Sequence, residues 1–118
     1  MNGIKYLLDT NIILGIIKGN NDAIALLKTM DLSCYAYSSI TRMELLGFTR
    51  ITPHEIGIIN ELLNNMLQIR VDEGIENQTI LLKQQYQIKL PDALILATAI
   101  IYNLELITLD KKLANKLK

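Results

Sequence analysis

The stretch from Ala93 to Ile101 constrains the fold most, because wound as a helix it is apolar almost all round. Such a helix must be covered on several sides. The apolar run from Ala93 to Tyr102 is too short to span a bilayer, so the cover has to come from other parts of the protein. Pro91 suits the first turn and opens this helix. Around it, strand-like and helical patterns alternate. Ile4 to Leu8, Ser33 to Ser38, Gln68 to Val71 and Glu105 to Thr108 read as short strands; in the second, small Cys34 and Ala36 alternate with Tyr35 and Tyr37. Helices are expected from Asn11 to Lys18, stopped by Gly19-Asn20-Asn21, from Asn21 to about Met30, and from the end of the second strand through Phe48. Thr52-Pro53-His54-Glu55 has the form of a capping box and should start a helix that continues to Leu67. Asp72 should cap another helix through Tyr86, and Asp110 starts a lysine-rich terminal helix. Alternation of this kind predicts an α/β fold, an open sandwich with a mostly parallel sheet flanked by helices.

The 118 residues fit one domain, 1–118, with no repeat or linker to divide it. Half of them are hydrophobic, enough for a sizeable core. Twelve basic and twelve acidic residues cancel, so any attraction for nucleic acid has to come from a local patch. Cys34 is the sole cysteine, which rules out an internal disulfide or a multi-cysteine zinc site and suits a reducing cytosol. The chain enters its first strand without a signal-peptide pattern, so a cytoplasmic protein with no membrane partner is expected.

Four acids stand where strands end or helices begin. They are Asp9 in Leu7-Leu8-Asp9-Thr10-Asn11, Glu44 in Thr41-Arg42-Met43-Glu44-Leu45-Leu46, Asp92 in Leu90-Pro91-Asp92-Ala93-Leu94, and Asp110 in Leu106-Ile107-Thr108-Leu109-Asp110. Each has an ordinary explanation. Asp9 can cap a helix, Asp92 and Asp110 can lie in first turns, and Thr41 with Glu44 can form a capping box. If Ser38 or Ser39 caps instead, Glu44 lies a turn inside, on a core-facing stripe with Ile40 and Phe48, where a bare carboxylate is costly. In a parallel α/β sheet, strand ends and helix starts gather along one edge. Carboxylates brought together there repel one another unless a hard divalent cation neutralises them, which points to metal-assisted phosphodiester chemistry.

These segments, together with Ser39 to Gly47 and Leu90 to Ala99, resemble the PIN domain family, and more closely its VapC-type toxin ribonucleases; order and spacing agree across nearly the whole chain. The resemblance implies a three-layer PIN-like sandwich. It further implies Asp9, Glu44, Asp92 and Asp110 as metal-binding acids, with Thr10, Asn11 and Thr108 as polar supports. The activity implied is Mg2+- or Mn2+-dependent hydrolysis of RNA to 5′-phosphate and 3′-hydroxyl ends, in the toxin of a prokaryotic toxin–antitoxin pair. A catalytically silent PIN-like module that binds RNA or protein is the alternative. Many family members carry another strand after the last motif, so the sheet edge here should be barer, and Asp110 falls in the family's most variable segment.

Two other acidic-pocket folds fit poorly. A receiver domain needs an acidic pair after the first strand and a phospho-acceptor Asp in the middle, and a haloacid-dehalogenase-type phosphatase needs an Asp where Asn11 stands. Arg42, Lys89, Lys111 and Lys112 neighbour the acids and are available to contact RNA phosphates. His54 reads as a surface residue and Cys34 as core. Ile56, Ile58, Ile59, Leu62, Leu63, Met66 and Leu67 make a broad stripe, and Ile12 to Ile17 crowd another helix. They are either an unusually Ile/Leu-rich core or an interaction surface, and the resemblance favours a homodimer that also accepts an antitoxin helix.

Overall fold

The computed structural model describes residues 3–116. In chain order the elements are β1 (Tyr6–Leu8), α1 (Thr10–Ile17), α2 (Asn21–Ala25), β2 (Tyr35–Ser38), α3 (Ser39–Leu46), α4 (Pro53–Asn64), β3 (Leu67–Ile69), α5 (Glu73–Gln85), α6 (Leu90–Tyr102), β4 (Glu105–Ile107) and α7 (Lys111–Asn115). The four strands lie in the order β3-β2-β1-β4, and every pairing is parallel. Tyr6 pairs with Tyr35 on one side and Glu105 on the other. All four strands therefore end along the same sheet edge. The order turns back between β1 and β4, the place where open parallel sheets form a crevice.

Successive side chains of β1 enter opposite layers. Leu7 joins a core with Ile75 and Leu82 of α5 and Ile95, Leu96 and Ala99 of α6. Leu8 joins a second core with Ile12 and Ile13 of α1, Leu45 of α3, and Ile59 and Leu63 of α4. The three-layer sandwich is thus what the alternation of strands and helices predicts. In α6, Ala93, Ile95, Leu96, Ala97, Thr98 and Ala99 are all buried, and the Thr98 hydroxyl is satisfied by donating to the Leu94 carbonyl at 2.8 Å. Burying a side chain such as Leu96 contributes about 1.5–3 kcal/mol. The helix is thus covered on several sides, as expected, while Leu90 at its start and Ile100, Ile101 and Tyr102 in its last turn are partly exposed before Asn103 ends it in a left-handed conformation. No helix among the described residues is long and apolar enough to cross a membrane.

Three helix boundaries differ from the sequence reading. The helix expected to reach Met30 ends at Ala25. Beyond it the Tyr35 hydroxyl accepts from the Lys28 and Thr29 amides and donates to the Thr29 carbonyl, so a buried side chain satisfies the backbone that a longer helix would have used. The helix expected to include Leu67 stops at Asn64, because Leu67 pairs with Ala36 as the first residue of β3. The helix expected to run through Phe48 stops at Leu46; the next residue is Gly47, at which a Cβ would sit 2.5 Å from the Met43 carbonyl oxygen. The capping box between Thr52 and Glu55 forms as read. Among the described residues β4 is an edge strand, and a surface hollow of about 1010 Å3 runs along it past Lys5, Leu104, Glu105 and Leu106.

Candidate active site

β1 delivers Asp9 to the carboxyl edge, and its amide continues the β1–β4 ladder by donating to the Ile107 carbonyl at 3.0 Å. The side chain is only 4 % exposed. Its Oδ1 caps α1 by accepting from the Thr10 amide at 2.7 Å. Its Oδ2 accepts from the Thr108 hydroxyl at 2.6 Å and from Asn11 Nδ2 at 3.0 Å. Asn11 in turn accepts from the Leu109 amide, and Thr108 Oγ1 accepts from the Asp110 amide, so the segment after β4 is tied to the segment after β1. Burial pushes the Asp9 carboxyl above its ordinary pKa. The bonds from Thr108 and Thr10 oppose that rise, and the charges of Asp92 and Glu44 add to it.

Glu44 reaches the same edge from α3. Ser38, whose side chain accepts from the Ile40 amide, is the helix cap, which puts Thr41 and Glu44 inside the helix rather than in a capping box. The Thr10 hydroxyl donates to Glu44 Oε1 at 2.7 Å and meets the Thr41 hydroxyl at 3.0 Å. Thr41 is fully buried, a polar support that the sequence reading treated only as a possible cap. Glu44 is half-buried, but its stripe does not face the core throughout, since Phe48 lies beyond the helix and is 53 % exposed.

Asp92 sits half-buried in the first turn of α6. Burial, joined by the charge of Asp110, raises its pKa, and the Lys89 charge acts the other way. Asp110 is exposed and caps α7, its Oδ1 accepting from the Lys112 and Leu113 amides at 3.0 and 3.3 Å. Electrostatically the acids form a chain: Glu44 and Asp92 act on Asp9, and Asp110 acts on Asp92. Among the described residues, no three of them are spaced to hold one ion between them as they stand. The donor set still suits magnesium or manganese, being all carboxylate and hydroxyl oxygen, with the Asp92 charge acting on the buried Asp9. Magnesium commonly takes one or two carboxylates and fills its remaining positions with water and substrate oxygens.

Arg42, Lys89, Lys111 and Lys112 are all exposed. The Lys89 charge bears on Asp92, and that of Arg42 bears on Tyr37. His54 is exposed in the first turn of α4, and Cys34 is half-buried just before β2. A second hollow, about 330 Å3 and mostly apolar, lies away from the acids among Leu14, Ile17, Leu45, Phe48, Ile51 and Ile58.

The model of the PIN domain matches residues 6–117. A toxin–antitoxin complex from Klebsiella pneumoniae contains a chain with 35% identity and a TM-score of 0.79, the match covering 92% of this chain and 88% of that one. VapBC2 from Rickettsia felis, solved bound to a DNA fragment from their promoter, is similar with 23% identity, a TM-score of 0.77, and 95% and 92% of the two chains covered. FitAcB from Neisseria gonorrhoeae is similar with 24% identity, a TM-score of 0.76, and 93% and 91% covered. The last two share the fold. No curated protein matches the chain.

Proposed function

Since this chain belongs to the PIN domain family, we propose that it is a metal-dependent endoribonuclease, the toxin of a prokaryotic toxin–antitoxin pair acting in the cytoplasm. The observation that carries the reading is the meeting of a buried Asp9 with Glu44 at the carboxyl edge of the sheet, joined through Thr10, where the Asp92 charge also acts on Asp9. Carboxylates crowded in a poorly solvated place are costly without a cation, and a phosphodiester substrate brings anionic oxygens to the same ion.

In this reading Asp9 and Asp92 hold Mg2+ or Mn2+, with Glu44 and Asp110 on either side of them. A bound ion supplies a water of lowered pKa and neutralises charge on the phosphate. Thr108 and Asn11 fix the orientation of the Asp9 carboxylate, and Thr10, backed by Thr41, does so for Glu44. In this reading Lys89, just before α6, and Lys111 and Lys112, at the start of α7, meet phosphate oxygens beside Asp92 and Asp110. The 35% identical relative is part of a toxin–antitoxin complex, and in this reading the partner here is a small cognate antitoxin that lays an apolar helix along the hollow between α1 and α4. The toxin itself pairs as a homodimer.

The test is incubation of the purified protein with a panel of structured RNAs, with and without Mg2+ or Mn2+, followed by mapping of the cut ends. Metal-dependent cleavage leaving 5′-phosphates, lost in Asp9→Asn and Asp92→Asn variants that remain folded, is the expected result. Metal-independent cleavage, or full activity in either variant, would remove the acids from the mechanism. RNA or antitoxin binding with no cleavage would favour the silent module.

A further inference from the structure

A second group of polar side chains lies at the same sheet edge, on β2 and just past the end of β3. Tyr37 pairs with Gln68 across β2 and β3, and Arg70 follows two residues later, on the same face and just past the end of β3. The turn that carries Arg70 is fastened to the start of α3, where the Val71 amide donates to Ser39 Oγ at 3.3 Å. One turn into α3 stands Arg42. Both arginines are exposed, and the charge of each acts on the Tyr37 phenol against the larger, raising effect of its burial.

Three observations make this more than two surface charges. The one ion pair among the described residues joins Lys28 to Glu105, so neither Arg42 nor Arg70 is neutralised by a carboxylate. Tyr37 is 5 % exposed, and no hydrogen bond to its hydroxyl forms among the described residues. No fully buried side-chain polar atom there lacks a partner, so that hydroxyl reaches the surface. Two exposed guanidinium groups, one on the turn after β3 and one a turn into the helix fastened to it, present charged donors to an anion beside the Tyr37 phenol. With zero net charge overall, a polyanion near four acids depends on local cations of this kind.

We propose that Arg42, Arg70 and the Tyr37 hydroxyl form one phosphate-binding subsite that holds the RNA backbone away from the scissile bond. β3 lies two strand spacings from β1, roughly 10 Å, so the phosphate held there is a neighbour of the one being cut. The substrate strand thus crosses the carboxyl edge over the start of α3, from the acids to the end of β3. This rests on the ribonuclease reading above, and it assigns Arg42 a position with Arg70 rather than with Glu44.

The test compares wild type with Arg42→Gln, Arg70→Gln, Tyr37→Phe and the double arginine variant. Binding of a labelled single-stranded RNA oligonucleotide is measured in EDTA over a range of KCl, and cleavage kinetics are measured in Mg2+. Each arginine variant should bind several-fold more weakly and raise KM rather than lower kcat. The slope of log affinity against log salt should fall by about 0.7 on loss of the one phosphate contact. Because the arginines share that phosphate, either one alone keeps part of the contact, so the full loss of slope belongs to the double variant and each single variant should lose less. Tyr37→Phe should weaken binding without changing the slope, since it removes a neutral donor. Unchanged melting temperatures in the arginine variants establish that the fold is kept. Wild-type binding and cleavage with every variant equal to it would overturn the subsite and leave the ribonuclease reading intact. A wild type that neither binds nor cuts RNA would overturn both. Loss of antitoxin binding in place of RNA binding would assign the pair to a protein contact and overturn the proposal.

Discussion

Thr108→Val removes one hydroxyl with little change of shape and tests the electrostatics of the site directly. Thr108 is 8 % exposed, and its hydroxyl donates to Asp9 Oδ2 at 2.6 Å. A hydrogen bond to a charged group contributes about 1.5–3 kcal/mol, against about 0.5–1.5 kcal/mol between neutral groups. Asn11 Nδ2 keeps Asp9 as an acceptor, and the part-buried Asp110 amide, which also used Thr108, can turn to water. The expected cost at neutral pH is therefore about 2 kcal/mol, or roughly 8 °C in melting temperature for a chain of this size. The sign of the pH dependence follows from Asp9, whose pKa is raised above the ordinary 3.8 by burial and held down in part by Thr108. Above its folded pKa, Asp9 is ionised and the full charge-assisted bond is lost. As pH falls through that value Asp9 becomes neutral, and the cost should shrink to about 1 kcal/mol. Urea unfolding of both proteins across the mildly acidic range, without divalent ions, measures this. A cost that is the same at every pH, or negligible at neutral pH, would refute the role given to Thr108.

Magnesium or manganese should raise the melting temperature of the wild type but not of an Asp9→Asn/Asp92→Asn variant, with about 2.7 kcal/mol of stabilisation at one hundred times the dissociation constant; equal shifts would exclude these acids as ligands. Without metal, the stability of Asp9→Asn relative to wild type should fall as pH is lowered, because only the wild type gains a proton that folding favours. Asp31 and Glu55, whose pKa values are lowered by local hydrogen bonds, are present in both proteins and cancel in that comparison, so a pH-independent difference from urea melts would refute it. Ile58→Asp and Phe48→Asp should weaken antitoxin binding or self-association with the circular dichroism spectrum kept, since both side chains are partly exposed. Gly15→Ala should cost about 1–3 kcal/mol in a urea melt, because its Cβ would lie 2.5 Å from that of Ala23; an unchanged midpoint would mean that α2 yields freely.

The fold was legible because period and punctuation agreed along most of the chain. The strands ending at Leu8 and Ile107 were bounded by acids and turns, and Thr52-Pro53-His54-Glu55 carried its own start signal. What was not legible depended on partners distant in sequence. Nothing local to Lys28 or Thr29 announces that Tyr35 will take over their backbone bonds. Leu67 fits the apolar stripe of α4 until Ala36 is known to pair with it. The same error misassigned the interaction surface: Ile59 and Met66, offered by the stripe as contact residues, are 5 % and 9 % exposed and belong to the core. Aspartate there would unfold the protein rather than detach a partner. At the site, the acids stood out by residue type and position, whereas Thr41, Tyr37 and Arg70 did not. Their setting comes from strand register and helix packing, which no spacing in the sequence encodes.

Capping and ligation had seemed rival explanations of the acids, and the geometry makes them compatible. Asp9 uses Oδ1 to cap α1, and Asp110 uses Oδ1 for both bonds of its cap on α7. A carboxylate has two oxygens, each with more than one lone pair, so the cap fixes the group's orientation without exhausting it. For Asp9 the remaining oxygen is further set by Thr108 and Asn11, leaving little rotational freedom to be lost when an ion binds. Capping is thus a means of preorganising the site: the helix start that needs an acid for its own amides also holds that acid at the strand end. The same argument separates Asp110 from Asp9, because Asp110 is exposed and its Oδ2 takes no part in its cap. Asp110→Asn retains a capping oxygen, so it should keep α7 folded and weaken cleavage far less than Asp9→Asn does. Equal losses of kcat in the two variants, both folded by circular dichroism, would show that exposure and preorganisation do not rank these acids.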